Sequence, residues 1–84
     1  MKKVTIFCWT YCPYCIKAKA MLDKKGVMYE EKIIDNDTAA LKTLKSETGS
    51  GTVPQIFVEG SFIGGCDDLF QLDHEGKFDE VFNE

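Results

Sequence analysis

The sequence predicts an α/β fold in which one mixed four-stranded sheet is flanked by helices. Three observations carry that expectation. An apolar strand pattern at residues 3–8 runs into a helical pattern that opens at Pro13 and stops at Gly26, and a second strand pattern follows at 29–34. That is a βαβ unit, whose two strands lie parallel in one sheet. Farther on, the region from Phe57 through Glu59-Gly60 to Phe62 reads as an antiparallel hairpin. Finally, two cysteines, Cys12 and Cys15, sit where the first strand gives way to the first helix.

Each element has its own reason. Val4, Ile6 and Phe7 are the apolar residues of the first strand. Pro13 suits the first turn of a helix, where its missing N–H is not needed. Tyr14, Ala18, Met21 and Leu22 then recur at helical spacing. After the second strand, Asp35-Asn36-Asp37 forms a turn whose side chains can cap the next helix, residues 39–47, with Ala40, Leu41 and Leu44 as its apolar face. Gly49-Ser50-Gly51 is a flexible break. A third strand is expected at 53–58, a turn at Glu59-Gly60-Ser61, and a short fourth strand at 62–63. Gly64-Gly65 leads into a third helix at 66–72 with Leu69 and Leu72 inward. Gly76 ends it, and Phe78, Val81 and Phe82 make a last helical turn. No repeat or linker interrupts the pattern, so one domain spanning 1–84 is expected.

Composition narrows the function. The chain has 84 residues, 44% of them apolar and 29% charged. A chain of this size buries roughly 60–65% of its unfolded surface, enough for one small core. There is no apolar run of membrane-spanning length. Lys2-Lys3 precedes a short apolar stretch, but no small-residue cleavage site follows, so the chain is read as cytoplasmic and mature as written. Net charge is −4, unevenly spread. Residues 1–28 hold six lysines against Asp23, a local +5, whereas residues 59–84 hold eight acids against Lys77, a local −7. Arginine is absent, which argues against nucleic-acid binding. The basic first third puts positive potential around Cys12 and attracts anionic small molecules.

Four cysteines in a small chain can signal a disulfide scaffold, but the well-patterned strands and helices fit that poorly. In a reducing cytoplasm they are more readily catalytic or metal-binding. Cys8, Cys12, Cys15 and Cys66 match the number of thiolates in a structural zinc site, yet they lack paired C-x-x-C knuckles, and no metal is expected. Cys12-Pro13-Tyr14-Cys15 points instead to redox chemistry. Two thiols separated by two residues can close a disulfide with little backbone movement. The first stands at a helix start, where unpaired N–H groups and the helix dipole favour the negative charge of a thiolate nucleophile. C-x-x-C beside a βαβ pattern is the cue for a thioredoxin-like fold.

Three motifs in register now resemble the glutaredoxins: Cys12-Pro13-Tyr14-Cys15, Thr52-Val53-Pro54-Gln55-Ile56-Phe57 and Gly64-Gly65-Cys66-Asp67-Asp68-Leu69. With the element order, the resemblance spans essentially the whole chain. It implies a glutathione-dependent thiol–disulfide oxidoreductase with glutathione as co-substrate. Disulfide-bonded or glutathionylated proteins would be its partners, and the chain a monomer. Cys12 resembles the nucleophile and Cys15 the resolving thiol. Pro54 resembles a cis-proline facing them, with Val53 offering its backbone to the cysteinyl part of glutathione. Asp67 and Asp68 resemble the site for the γ-glutamyl end, with helix-start N–H groups for its carboxylate and an acid for its amino group. Tyr14 as an aromatic wall, with Thr52 and Cys66, completes the implied glutathione site.

Two positions depart from the pattern. Trp9 stands where many glutaredoxins have lysine three residues before the first cysteine, and Ser50 where a basic residue often precedes the threonine by two. Glutathione binding is therefore expected to rest on the Val53 and Asp67/Asp68 ends, with Lys42 or Lys45 open as substitutes at the other. Two alternatives stand beside this reading: a glutaredoxin-like redoxin reduced by thioredoxin reductase, and an iron–sulfur cluster-binding glutaredoxin. Cys8 and Cys66 are read as packing, His74 as a solvated surface residue, and Trp9 and Tyr11 as either substrate-facing or rim residues.

Overall fold

Val4, Ile6 and Cys8 alternate with Thr5 and Phe7 along β1 (Val4–Cys8), and the first set is buried. That strand organises the rest. A computed structural model describes residues 2–83; Met1, and Glu84 of the acidic C-terminal count, lie outside the described residues. The elements that follow are α1 (Pro13–Lys24), β2 (Glu30–Ile33), α2 (Thr38–Thr48), β3 (Gln55–Val58), β4 (Ser61–Gly64), α3 (Cys66–His74) and α4 (Phe78–Phe82).

The sheet runs β2-β1-β3-β4. β1 pairs parallel with β2, as a βαβ unit demands, and antiparallel with β3 in a register that sets Ile6 beside Ile56. β3 and β4 form the expected hairpin, with an irregularity between Ile56 and Phe57. The four-stranded mixed sheet flanked by helices is the thioredoxin-like arrangement that the sequence predicts.

α1 buries Cys15, Ala18, Met21 and Leu22, residues at helical spacing on one face. Cys15 takes the place expected of Tyr14, which is 61% exposed. Ala18, Met21 and Leu22 keep their expected places, and of the two residues three and four before Ala18 it is Cys15, not Tyr14, that meets the core. α1 packs against α3, whose Leu69 is fully buried, and α3 meets α4, where Phe78 and Phe82 stack at 4.5 Å. On the opposite side of the sheet, Phe7 meets Phe57 edge-on at 5.6 Å beneath α2. Phe7 is only half-buried for this reason: α2 covers that face less completely.

β2 departs most from expectation, since all four of its residues are exposed. It is an edge strand, open on both faces, and the buried Ile34 lies just past it, its N–H bonded to the Cys8 carbonyl at 2.9 Å. α2 begins one residue earlier than the apolar pattern suggests because Asp37 caps it, accepting from the Ala40 N–H at 2.9 Å.

The segment after α2 is not left loose. Gln55, fully buried, donates from Nε2 to the carbonyls of Ser50 at 2.6 Å and Thr52 at 3.0 Å, and its Oε1 accepts from the Thr48 hydroxyl at 3.1 Å. One side chain thus supplies hydrogen bonds to two carbonyls of a loop that no strand or helix pairs. Gln55→Leu keeps the volume but orphans those groups, at a cost of about 2–3 kcal/mol. Thermal unfolding should show a Tm lower by about 10–20 °C for a domain of this size. An unchanged Tm would show that Gln55 does not hold the loop.

Candidate active site

Cys12 is the N-cap of α1, in extended backbone geometry, with Pro13 at the first helical position. Its carbonyl accepts the Ile16 N–H at 3.0 Å and its own N–H reaches the Trp9 carbonyl at 3.4 Å. No side chain caps this helix. The N–H groups of Tyr14 and Cys15 therefore have no acceptor within the helix and stand ready for a charge on the Cys12 sulfur. That sulfur lies 3.9 Å from the Val53 carbonyl, and the Val53–Pro54 peptide is cis.

The four thiols have different surroundings. Cys12, 7% exposed, borders an open cleft, whereas Cys15 and Cys8 are fully enclosed. Burial pushes the Cys15 thiol well above the ordinary range, and a hydrogen bond involving the Trp9 backbone opposes this only in part. Burial likewise pushes Cys8 up to about 11, partly offset by Lys19. Cys66 is raised by the same cause against the pull of Lys17. Three thiols are thus held in the protonated form, and a thiolate is the nucleophilic species. Among the described residues, no three His, Cys, Asp or Glu side chains converge as metal ligands.

The cleft has a volume of about 560 Å³ and gathers Cys12, Tyr14, Thr52, Val53, Pro54, Cys66, Asp67 and Asp68. Cys15 is the one expected site residue outside it, enclosed behind Cys12. Trp9, Ser50, Phe62 and Gly65 also line the cleft. Trp9 is therefore a cleft residue, stacked on Tyr11 at 6.1 Å. A groove of about 460 Å³ between α2 and the sheet holds no cysteine, so the thiols single out the first cleft.

At the start of α3 the two acids divide their work. The Asp68 carboxylate accepts the Gly65 N–H at 2.9 Å, so it closes the helix start, and Asp67 is left exposed beside it. The N–H groups of the first helical turn have no acceptor within the helix, an arrangement that favours negative charge. Gly64 is required there on two counts. Its φ is +138°, and a β-carbon would stand 2.3 Å from the Asp68 carboxylate oxygen.

Two positioning residues escape the sequence pattern. Gln55 fixes the Ser50–Thr52 edge, and Asp35 fixes the Cys12 loop. Asp35 accepts the Thr10 N–H at 2.8 Å and also the Thr10 hydroxyl. The sequence reading places Asp35 in a helix-capping turn, and only the parallel pairing of β1 with β2 carries it across to Thr10. An acid directly after a strand that runs beside the motif strand is the one signal that could have marked it.

The comparisons agree with this geometry. Residues 4–63 match the glutaredoxin family model. Glutaredoxin 1 of Rickettsia prowazekii is 50% identical over 80 residues, covering 93% of this chain and 84% of that protein. Glutaredoxin 3 of Escherichia coli is 46% identical over 81 residues, covering 96% and 98%. Among solved structures, the buckwheat glutaredoxin–glutathione complex superposes with a TM-score of 0.90 at 32% identity, covering 96% of this chain and 76% of that one. Brucella melitensis glutaredoxin gives a TM-score of 0.86 at 38% identity, covering 98% and 89%. Fold and site define a thiol–disulfide oxidoreductase of the thioredoxin-like class. Within that class, the chain belongs to the glutaredoxin family.

Asp35→Ala should lower exchange activity about tenfold by loosening the Cys12 loop, with Asp35→Asn recovering part of it through the Thr10 N–H. Steady-state kinetics on a mixed-disulfide substrate checks this. Equal activity in Asp35→Ala and wild type would remove Asp35 from the site.

Proposed function

We propose that this chain reduces protein disulfides and glutathione mixed disulfides with glutathione as the electron donor, through the dithiol Cys12 and Cys15. The observation that carries the reading is the pairing of one thiol on the cleft at a helix start with a second, enclosed thiol a turn behind it. The likeness to a glutaredoxin that binds glutathione supports it.

Cys12 thiolate attacks one sulfur of the substrate disulfide. The Cys12–substrate S–S bond forms as the original S–S bond breaks, and the other half leaves as a thiolate that takes up a proton. In the protein-disulfide branch, Cys15 loses its proton to the leaving thiolate and attacks the Cys12 sulfur. This releases the reduced substrate and leaves a Cys12–Cys15 disulfide. Two glutathione molecules then return the dithiol and become glutathione disulfide. With a glutathionylated protein, Cys12 keeps the glutathionyl group, and a second glutathione removes it directly. The raised Cys15 thiol keeps it from competing for the first attack, so the order of events follows from burial.

The bound glutathione lies with its cysteinyl backbone along Val53, beside cis-Pro54 and between Tyr14 and Thr52. Its γ-glutamyl carboxylate meets the N–H groups at Cys66 and Asp67, and its amino group meets the Asp67 carboxylate, since Asp68 is occupied by Gly65. The N-terminal lysine excess draws the anionic tripeptide toward Cys12.

The test is turnover of a glutathionylated substrate with glutathione and glutathione reductase, set against turnover with thioredoxin reductase. Cys12→Ser should abolish activity. Cys15→Ser should keep deglutathionylation and lose reduction of protein disulfides. Equal loss of both activities in Cys15→Ser, or preference for thioredoxin reductase, would contradict the proposal.

A further inference from the structure

The exchange chemistry uses Cys12 and Cys15, yet a third enclosed thiol stands at the end of β1. Cys8 shares the buried face of that strand with Val4 and Ile6 and belongs to the same core as Cys15, Ala18 and Leu22 of α1. Its sulfur lies 3.9 Å from the Ile6 carbonyl. A partly buried ion pair ties together the elements on either side of it. Lys19 follows Cys15 by one helical turn, and its ammonium pairs with Glu31 of β2. Glu31 stands in register with Ile6, two residues before Cys8 on the same face of β1.

The groups that act on the Cys8 sulfur accordingly come from both neighbours. α1 supplies Cys15, by hydrogen bonding, and the charge of Lys19; β2 supplies the Glu31 carboxylate. Cys8 is in turn among the groups that act on Cys15, together with Cys12. Cys15 therefore has two thiols beside it, Cys12 toward the cleft and Cys8 on the strand, and both Cys8 and Cys15 are closed to solvent. A thiol wanted only for packing has no need of a second thiol, an acid and a cation around it.

We infer that Cys8 is a third redox thiol, which exchanges with the Cys12–Cys15 disulfide to leave a buried Cys8–Cys15 disulfide and a free Cys12. This rests on the dithiol reading of Cys12 and Cys15 and goes beyond it. The Cys8 proton passes to the Glu31 carboxylate, and Lys19 favours the thiolate that remains. That thiolate attacks the Cys15 sulfur. The Cys8–Cys15 bond forms as the Cys12–Cys15 bond breaks, and Cys12 leaves as a thiolate. Cys12 then takes up a proton from water, while Glu31 returns to water the one it received, so neither electrons nor protons are gained or lost. Cys12 is the favoured leaving group because the helix start stabilises its charge. The oxidised chain thereby regains a thiol on the cleft for glutathionylated proteins, while Cys15 is withheld from resolving protein disulfides.

The experiment oxidises the whole chain with glutathione disulfide, removes the reagent, and samples the protein over time near neutral pH. Each sample is quenched in acid, alkylated with N-ethylmaleimide and cut with chymotrypsin after Trp9, Tyr11 and Tyr14, which puts the three cysteines on separate peptides for mass spectrometry. A Cys8–Cys15 pair with alkylated Cys12 should grow at the expense of the Cys12–Cys15 pair over minutes to hours. Native iodoacetamide should label Cys12 again in the oxidised wild type and not in oxidised Cys8→Ala, and the wild-type time course decides without the variant. A Cys12–Cys15 pair that persists with Cys8 alkylated throughout would overturn the role of Cys8 while leaving the dithiol reading standing. Absence of any disulfide that joins Cys15 would overturn both.

Discussion

The turn from β1 into α1 sets Cys12 at a helix start with an open cleft before it and places Cys15 a turn later, inside the core. The helix cannot begin earlier, because Pro13 suits only its first turn, and it cannot rotate, because Ala18, Met21 and Leu22 must face α3 and the sheet. The two cysteines are consequently unequal before any substrate arrives. One is offered to the cleft where backbone N–H groups favour a negative charge. The other is enclosed where charge is disfavoured. The chemical sequence of attack and resolution is a consequence of that placement.

The remaining parts of the site are held by residues that serve the fold at the same time. Asp35 ties the Cys12 loop to the end of β2, Gln55 ties the Ser50–Thr52 edge to β3, and Asp68 closes the start of α3 on Gly65. Each uses a side chain to satisfy backbone groups that strands and helices leave unpaired. The cleft is thus a meeting of three element boundaries, after β1, before β3 and before α3. At such boundaries the unpaired N–H and C=O groups are available to an extended peptide.

Much of this was legible in the chain itself. The βαβ pattern, the hairpin around Glu59-Gly60 and the three motifs at their spacing were enough to place the sheet, the helices and the cleft residues. Local chemistry carries those features. What escaped the reading depends on distance in sequence. Periodicity marks Tyr14 as inward, but Tyr14 and Cys15 lie four and three residues before Ala18, both near the same face, and the packing around α1 buries Cys15 instead. Asp35 looks like a cap until strand pairing brings it to Thr10, and Gln55 looks like any strand residue until the loop before it folds back over it. The exposure of β2 likewise follows from its place at the sheet edge, which no window of residues contains.

The central claim is that burial makes Cys12 the reactive thiol of the four. Native-state alkylation of the reduced protein with iodoacetamide, followed by peptide mass spectrometry across a pH series, tests it most directly. The account predicts labelling confined to Cys12 near neutral pH, with Cys8 silent until pH approaches about 11 and Cys15 silent beyond it. Labelling of Cys8, Cys15 or Cys66 at a rate comparable to Cys12 near neutral pH would contradict it.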